Sequence, residues 1–425
     1  EVIYMTVQKN WAGNYTYQAA NWHVPTSVQE VQQLVKKLDK IRVVGSRHSF
    51  NSIADSDQNI ISLEKFNNVI ELDENNRTVT VEGGIRYGDL SRYLYDLGFA
   101  LPNMASLPHI SIAGACATAT HGSGDNNQCL SNSIAAMKIV TASGEIVSFS
   151  RQEDESLLKG AAVGLGALGV IVEITLDLVP TFDICQHVYE NLPFDQLADN
   201  FDNIFSSAYS VSLFTNWENN IFNQVWLKSI HHKDNKNEPA REFYGATAAI
   251  SPSHPIQGVE AVHCTEQLGV PGPWHDRLPH FRLDFTPSNG DELQSEYLVP
   301  RELAYEAILA ISKHNDKISP LLHVCEIRSI AKDNLWMSPF YQQDSIGIHF
   351  TWKDNWESVK EVLPQIEEAL ISFQARPHWG KLFTMPKERV QSLYEKLPDF
   401  QQLLERYDPN GKFRNDFIND YIFNK

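Results

Sequence analysis

The sequence predicts an α+β protein of two domains, and three observations carry that reading. Its 425 residues exceed what one ordinary compact core holds. Short β-rich runs and stretches of helical periodicity both occur along the chain. Apolar residues at 42% and charged residues at 21% place it among globular chains able to bury a sizeable core.

Taken in order, Val28, Val31, Leu34, Val35 and Leu38 recur at helical spacing after Pro25 and Thr26, which predicts a helix over 27–38. Ile41 to Val44 is a short strand stopped by Gly45, so the residues that follow occupy a loop at a strand end, a usual place for chemistry. Further strands are predicted at 60–63, 69–72 and 78–82, with Gly83-Gly84 as a breaker, then a helix over 87–97. Leu101-Pro102 and Leu107-Pro108 lead through an extended passage into a stretch rich in glycine and alanine, where small side chains let the backbone approach a ligand. The runs 135–141 and 145–150 around Ser143-Gly144 predict a hairpin, and 169–178 another strand. Pro180 is taken as the end of the first domain. Residues 181–375 are assigned to a second, covering domain, with a loop rich in Gly, Pro and His between Ser251 and Pro279, and 376–425 to a segment returning to the first domain.

The formal net charge of −18 argues against nucleic acid and anionic membranes as partners, since both need clustered cations. Neutral or cationic small ligands suit it better. Five scattered cysteines without a paired motif read as free thiols, and no apolar run reaches the ~20 residues of a membrane span. The expected location is cytoplasmic. Glu1 to Tyr4, ahead of Met5, read as a remnant that bears on neither fold nor function.

Gly164-Leu165-Gly166-Ala167-Leu168-Gly169 matches the dinucleotide fingerprint by letter, but a helix precedes it and a strand follows, the reverse of the order that motif requires. A tight backbone turn explains its glycines. Gly45-Ser46-Arg47-His48-Ser49-Phe50 instead sets a histidine among small residues at a strand end, where backbone N–H groups can cradle phosphate. Gly114 to Gly124 is a second loop of small residues and hydroxyls, and two such loops favour a large cofactor. No spacing resembles a zinc site, so no metal is expected.

With Ser106-Leu107-Pro108-His109-Ile110-Ser111 and Thr120-His121-Gly122, the His48 loop resembles the vanillyl-alcohol oxidase flavoprotein superfamily, and most closely its alditol oxidases. The resemblance continues through Cys264-Thr265-Glu266-Gln267, Val270 to His275, Glu326-Ile327-Arg328, His349 to Trp352, Arg376 to Lys381 and Asp408 to Phe413, covering nearly the whole chain. It implies a two-domain fold of that type, with an FAD-binding domain and a mixed-sheet substrate domain, and FAD bound covalently through His48. An imidazole on the flavin's 8α-methyl should raise the cofactor's potential and ease oxidation of an unactivated alcohol. Where the family pattern often has glycine, this chain has Arg47. The cofactor residues implied are Val43, Val44, Gly45, Ser46, Arg47, His48, Ser49, Ser106, Ser111, Gly114, Thr118, Ala119, Thr120, His121 and Val172.

The substrate set implied is Ser106, Glu326, Arg328, Thr351 and Lys381, with His349, Arg328 and Lys381 as the catalytic candidates. Glu326 and Arg328, two apart on a strand, share a face. They could accept from and donate to successive hydroxyls of a polyol, or form a salt bridge across a domain surface. The expected reaction passes hydride from the primary alcohol carbon of an alditol such as xylitol, sorbitol or glycerol to flavin N5 and its hydroxyl proton to His349, giving an aldose. Molecular oxygen is the expected acceptor, yielding hydrogen peroxide, although Ala105 beside the flavin bears on oxygen access and leaves another carrier open. A small polyol and oxygen are the only partners expected of a monomer. The alternatives are an aldonolactone-type dehydrogenase of the same superfamily and a non-catalytic carbohydrate-binding protein that retains FAD.

Overall fold

Ser27 starts the first helix, Val28–Lys37, because its hydroxyl accepts from the Glu30 N–H at 3.2 Å. Val31 and Val35 fill the core side. The computed structural model describes residues 7–234, 238–285 and 292–424, so Glu1 to Tyr4 lie outside the described residues. After the helix, the strand Ile41–Val44 pairs in parallel with Asn59–Ser62, which also pairs in parallel with Asn21–His23. A five-stranded antiparallel sheet follows in the order Val69–Asp73, Thr78–Glu82, Val170–Asp177, Ile134–Val140, Ile146–Ser150. The 134–140 and 146–150 pair is the expected hairpin, with Gly144 at φ 81° in its turn.

The glycine-rich run at 164–169 has the helix Arg151–Ala161 before it and the strand Val170–Asp177 after it, as the reversed order implied. Gly166 and Gly169 take φ of 70° and 138°, so the glycines make a turn.

A larger sheet of ten strands occupies the middle of the chain. Its centre runs Ile221–Ile230, Ser210–Thr215, Leu322–Ile330, Ser345–Lys353, Glu292–Pro300. Every strand pairing in it is antiparallel, so parallel pairing of strands is confined, among the described residues, to the small N-terminal sheet, and Gly124 adds an isolated parallel bridge at Ile330. Short links such as that between Ser210–Thr215 and Ile221–Ile230 can join only antiparallel neighbours.

Alternation gives the large sheet two different faces. Leu293, Tyr297, Ile327, Ile348, Phe350 and Trp352 point to one side and pack with Ile308 and Ile311 of the helix Ala304–Ser312 and Val359 and Leu363 of the helix Trp356–Ala369. Gln294, Glu296, Glu326, Arg328, His349 and Thr351, at the intervening positions, point to the other. A separate core gathers Val31, Val79, Ile112 and Ile174 with Trp379, Phe400, Phe413 and Phe417 from the C-terminal segment. Between the two, the Ser106 carbonyl accepts from the His280 and Phe281 N–H groups, and the Gly124 N–H donates to the Ser329 carbonyl. The loops at 105–124 are thereby held against the polar face of the large sheet.

Candidate active site

A cavity of ≈ 310 Å³ lies between that polar face and the loops after Ile41–Val44, a size within the range of small-molecule sites. Its wall includes Val43, Val44, Gly45, Ser46, Arg47, His48, Ser49, Ser106, Ser111, Gly114, Thr118, Thr120, His121, Glu326, Arg328, His349, Thr351 and Lys381. Two expected positions stand apart from it. Val172 is buried in the first core with its carbonyl accepting from the Gly83 N–H, and Ala119 is fully buried behind the loop at φ 57°. Leu165 and Gly166 of the glycine turn also line the cavity, beside buried Arg42, whose guanidinium donates to the carbonyls of Ile53, Leu165 and Phe413.

At the cofactor end, two loops clasp each other. The Ser111 N–H donates to Ser46 Oγ at 3.0 Å, and the Ser46 N–H donates to Ser111 Oγ at 3.2 Å. Gly45 lies so near that a Cβ there would stand 1.9 Å from Ser111 Oγ. His48 Nδ1 faces Ser46 Oγ at 2.9 Å, its ring stacks on Trp11 with centroids 5.1 Å apart, and its Nε2 is buried without a hydrogen-bond partner. Burial, with help from His109, pulls the His48 pKa down to about 3, so the ring is neutral. Because the Ser46 hydroxyl can accept from Nδ1–H, Nε2 can carry the lone pair. A buried, orphaned, neutral ring nitrogen beside a cradle too tight for a Cβ fits attachment of a flavin.

At the other end, the register of three strands aligns titratable side chains. Glu296 stands opposite His349, and His349 opposite Glu326. Glu296 was not singled out from the sequence. It lies beneath the cavity wall with a fully buried carboxylate: Oε1 accepts from Lys381 Nζ at 3.0 Å and His121 Nε2 at 2.9 Å, and Oε2 from Arg328 at 3.0 Å. Gly347 makes room for it, since a Cβ there would meet Glu296 Oε2 at 2.8 Å. Burial works to raise the Glu296 pKa, but His121, Lys381 and Arg328 outweigh it and hold the carboxyl well below the usual range.

Arg328 also reaches Ser106 Oγ at 3.3 Å and lies 3.6 Å from Glu326 Oε1. The side chains of Glu326 and Arg328 are each 5% exposed, so theirs is a buried pairing and not a surface salt bridge. Burial favours the neutral acid at Glu326, yet Arg328 and His280 keep it ionised. Lys381 is pulled down by burial and supported by Glu296. The wall thus carries one carboxylate, Glu326, and two cations, Arg328 and Lys381, with the carboxylate of Glu296 behind them.

His349 Nε2 faces Gln294 Oε1 at 3.1 Å, while the Gln294 amide donates to Glu292 Oε2 at 3.0 Å. That second bond orients the amide, so Nε2 of His349 must donate and Nδ1 keeps its lone pair. Burial and the charge of Lys381 hold His349 well below its ordinary pKa, so it is neutral. Among the described residues His121, Glu296 and His378 come close enough to hold a metal ion, but Lys381 and Arg328 already occupy the Glu296 oxygens and would repel a cation.

Glu296 carried one local signal, a carboxylate at an inward position of an apolar strand, but its donors come from elements 32 to 175 residues away.

A family model described as an FAD binding domain matches residues 21–150, and one described as D-arabinono-1,4-lactone oxidase matches 290–421. The alditol oxidase of Streptomyces sp. (strain IKD472 / FERM P-14339) is 43% identical over 98% of this chain and 99% of its own. The L-gulono-1,4-lactone dehydrogenase of Mycobacterium tuberculosis is 28% identical over 97% and 98%. Among solved structures, a cholesterol oxidase from B. sterolicum superimposes with a TM-score of 0.80 over 99% of this chain and 97% of its own, at 13% identity, a likeness of fold alone. No described helix is long and apolar enough to cross a membrane. The chain belongs to the alditol oxidase family of the vanillyl-alcohol oxidase flavoprotein superfamily and is an FAD-dependent oxidoreductase.

Proposed function

We propose that the enzyme oxidises the terminal primary hydroxyl of a small alditol to the aldose and that His48 carries FAD covalently. One observation supports the substrate class above the others: the carboxylate of Glu326 and the cations of Arg328 and Lys381 share one cavity wall with the hydroxyls of Ser106 and Thr351. Successive hydroxyls each donate and accept, so a wall that offers both acceptors and donors matches a polyol. FAD, when bound, supplies the two-electron acceptor that takes hydride equivalents from the alcohol carbon and passes electrons to oxygen, yielding hydrogen peroxide. Glu326 accepts from a hydroxyl of the substrate, and Arg328 and Ser106 donate to the next. His349 takes the reacting hydroxyl's proton at Nδ1, a role that suits a ring held neutral. Lys381 and Arg328 favour negative charge developing beside them.

The test is to mix the protein with sorbitol without oxygen and follow bleaching of the flavin, then admit oxygen and assay peroxide. No bleaching by any alditol would refute the reading. Because a lactone oxidase model matches residues 290–421, L-gulono-1,4-lactone is the control, and faster bleaching by it would favour a lactone substrate. For the attachment, acid-precipitated protein should stay yellow, and His48→Ala should release its colour; free FAD in the supernatant of the unaltered protein would refute the bond.

A further inference from the structure

Next to Glu326 stands a pair of side chains that the reaction above does not use: His280, which also lines the cavity, and Lys228 behind it. His280 Nε2 is 2.6 Å from Glu326 Oε2, and His280 Nδ1 is 2.9 Å from Lys228 Nζ. Lys228 is fully buried on the strand Ile221–Ile230, does not line the cavity, and among the described residues has no carboxylate in contact. Its Nζ donates instead to the carbonyls of Leu278 at 2.7 Å and Pro279 at 3.2 Å and to His280. Three acceptors match the three protons of an ammonium group. A buried cation is costly to keep even when it is satisfied in this way.

Its consequence falls on the histidine. With Lys228 donating to Nδ1, that nitrogen must offer its lone pair, and the single ring proton sits on Nε2, directed at Glu326. Glu326 Oε2 is then occupied by a neutral donor, leaving Oε1, on the side of Arg328, as the oxygen available to a ligand. We propose that Lys228 is a positioning residue for substrate recognition: it locks His280 as the Nε2–H tautomer, which pins one oxygen of Glu326 and presents the other to a polyol hydroxyl. The role of Glu326 rests on the alditol reading; the tautomer does not.

The charges around the pair agree with this assignment. Burial lowers Lys228 to about 7 while Glu326, and more weakly Cys264, support its charged form against Arg277 and Arg328. Burial and the neighbouring Lys228 hold His280 at about 4, so the imidazole does not take a second proton near neutrality. At pH 6 the state is therefore an ammonium at Lys228, a neutral ring at His280 and a carboxylate at Glu326.

The experiment uses the holoenzyme at pH 6 with two readouts. In protein carrying 15N-histidine, the His280 signals, assigned by their loss in His280→Gln, should show a protonated Nε2 and an unprotonated Nδ1. An Nδ1–H tautomer or an imidazolium would overturn the proposal without any turnover being measured. In the second readout, anaerobic flavin reduction is compared for sorbitol and 1-propanol. Lys228→Met should lower kcat/KM for sorbitol by about tenfold, the effect of losing one hydrogen bond's worth of alignment, and leave 1-propanol within about twofold. Adding His280→Gln to Lys228→Met should restore part of the loss, because the glutamine amide donates to Glu326 without needing its tautomer set. Equal losses on both alcohols, or no loss, would overturn the positioning role. Should Lys228→Met fail to fold, the tautomer measured in the unaltered protein still decides the proposal. Failure of sorbitol to reduce the unaltered enzyme would refute the alditol reading instead.

Discussion

Replacing Glu296 by glutamine removes the one negative charge that touches Lys381, Arg328 and His121 together. The substitution keeps the shape but supplies one carbonyl oxygen for three donors and turns an NH₂ group toward a cation. Breaking a buried ion pair on one side costs about 3–5 kcal/mol, because the remaining charge stays out of water. Here two cations lose the same partner, so Glu296→Gln should lose at least about 3 kcal/mol of unfolding free energy, read by urea denaturation of the holoenzyme. Rate should fall with it. Lys381 and Arg328 would no longer be held at the cavity wall, and flavin reduction by sorbitol should slow by about one to two orders of magnitude, the worth of one or two charge-assisted hydrogen bonds. Gly347→Ala approaches the same carboxylate from behind, at 2.8 Å from Oε2, and should give a weaker form of the same two losses. A Glu296→Gln protein within about 1 kcal/mol of the parent, reduced at the parent rate, would refute the view that this carboxylate organises the wall.

Three further outcomes follow from the geometry. Gly45→Ala would push a methyl group into Ser111 Oγ and part the clasp between the two cofactor loops, so purified protein should show a lower ratio of flavin to protein absorbance; an unchanged ratio would contradict the clasp. Arg47 sits at φ 60°, where a side chain costs about 1 kcal/mol, so Arg47→Gly relieves strain but loses the bond from Arg47 to Gln8 and frees the unfolded chain. The net change in unfolding free energy should stay under about 1 kcal/mol with flavin content unchanged, and a loss above about 2 kcal/mol would show the side chain to be needed. His280, held at about 4 against 6.5 unfolded, makes the unfolded chain the better proton binder between those values. Its contribution is whole above pH 6.5 and falls by about 3 kcal/mol toward pH 4, so urea titrations across that range should be steep for the parent and shallower for His280→Gln, and equal slopes would refute the assignment.

What the sequence disclosed follows from the range over which its signals act. Alternation is local, so Gly347, His349 and Thr351 could be placed on one strand face, and Glu326 with Arg328 on another, before any partner was known. The strand stop at Gly45 and the reversed order around 164–169 were legible for the same reason. Register is not local. That Glu296, His349 and Glu326 form one row across three strands depends on pairings between residues about 20 and 50 positions apart, and no periodicity within one strand encodes the offset. Val172 illustrates the converse: a position carried over with a family pattern can serve through its carbonyl, here to Gly83, without touching the cavity. Lys228 was the least legible of all. A lysine on an exposed strand edge and one sealed behind a histidine have the same neighbours in sequence, and only the loop at 278–280, which brings two carbonyls and an imidazole onto one ammonium, separates them. Specificity in this site is therefore set at two depths: a wall of side chains whose facing the sequence exposes, and a layer beneath it, Glu296 and Lys228, whose partners exist only once the sheet has closed on the loops.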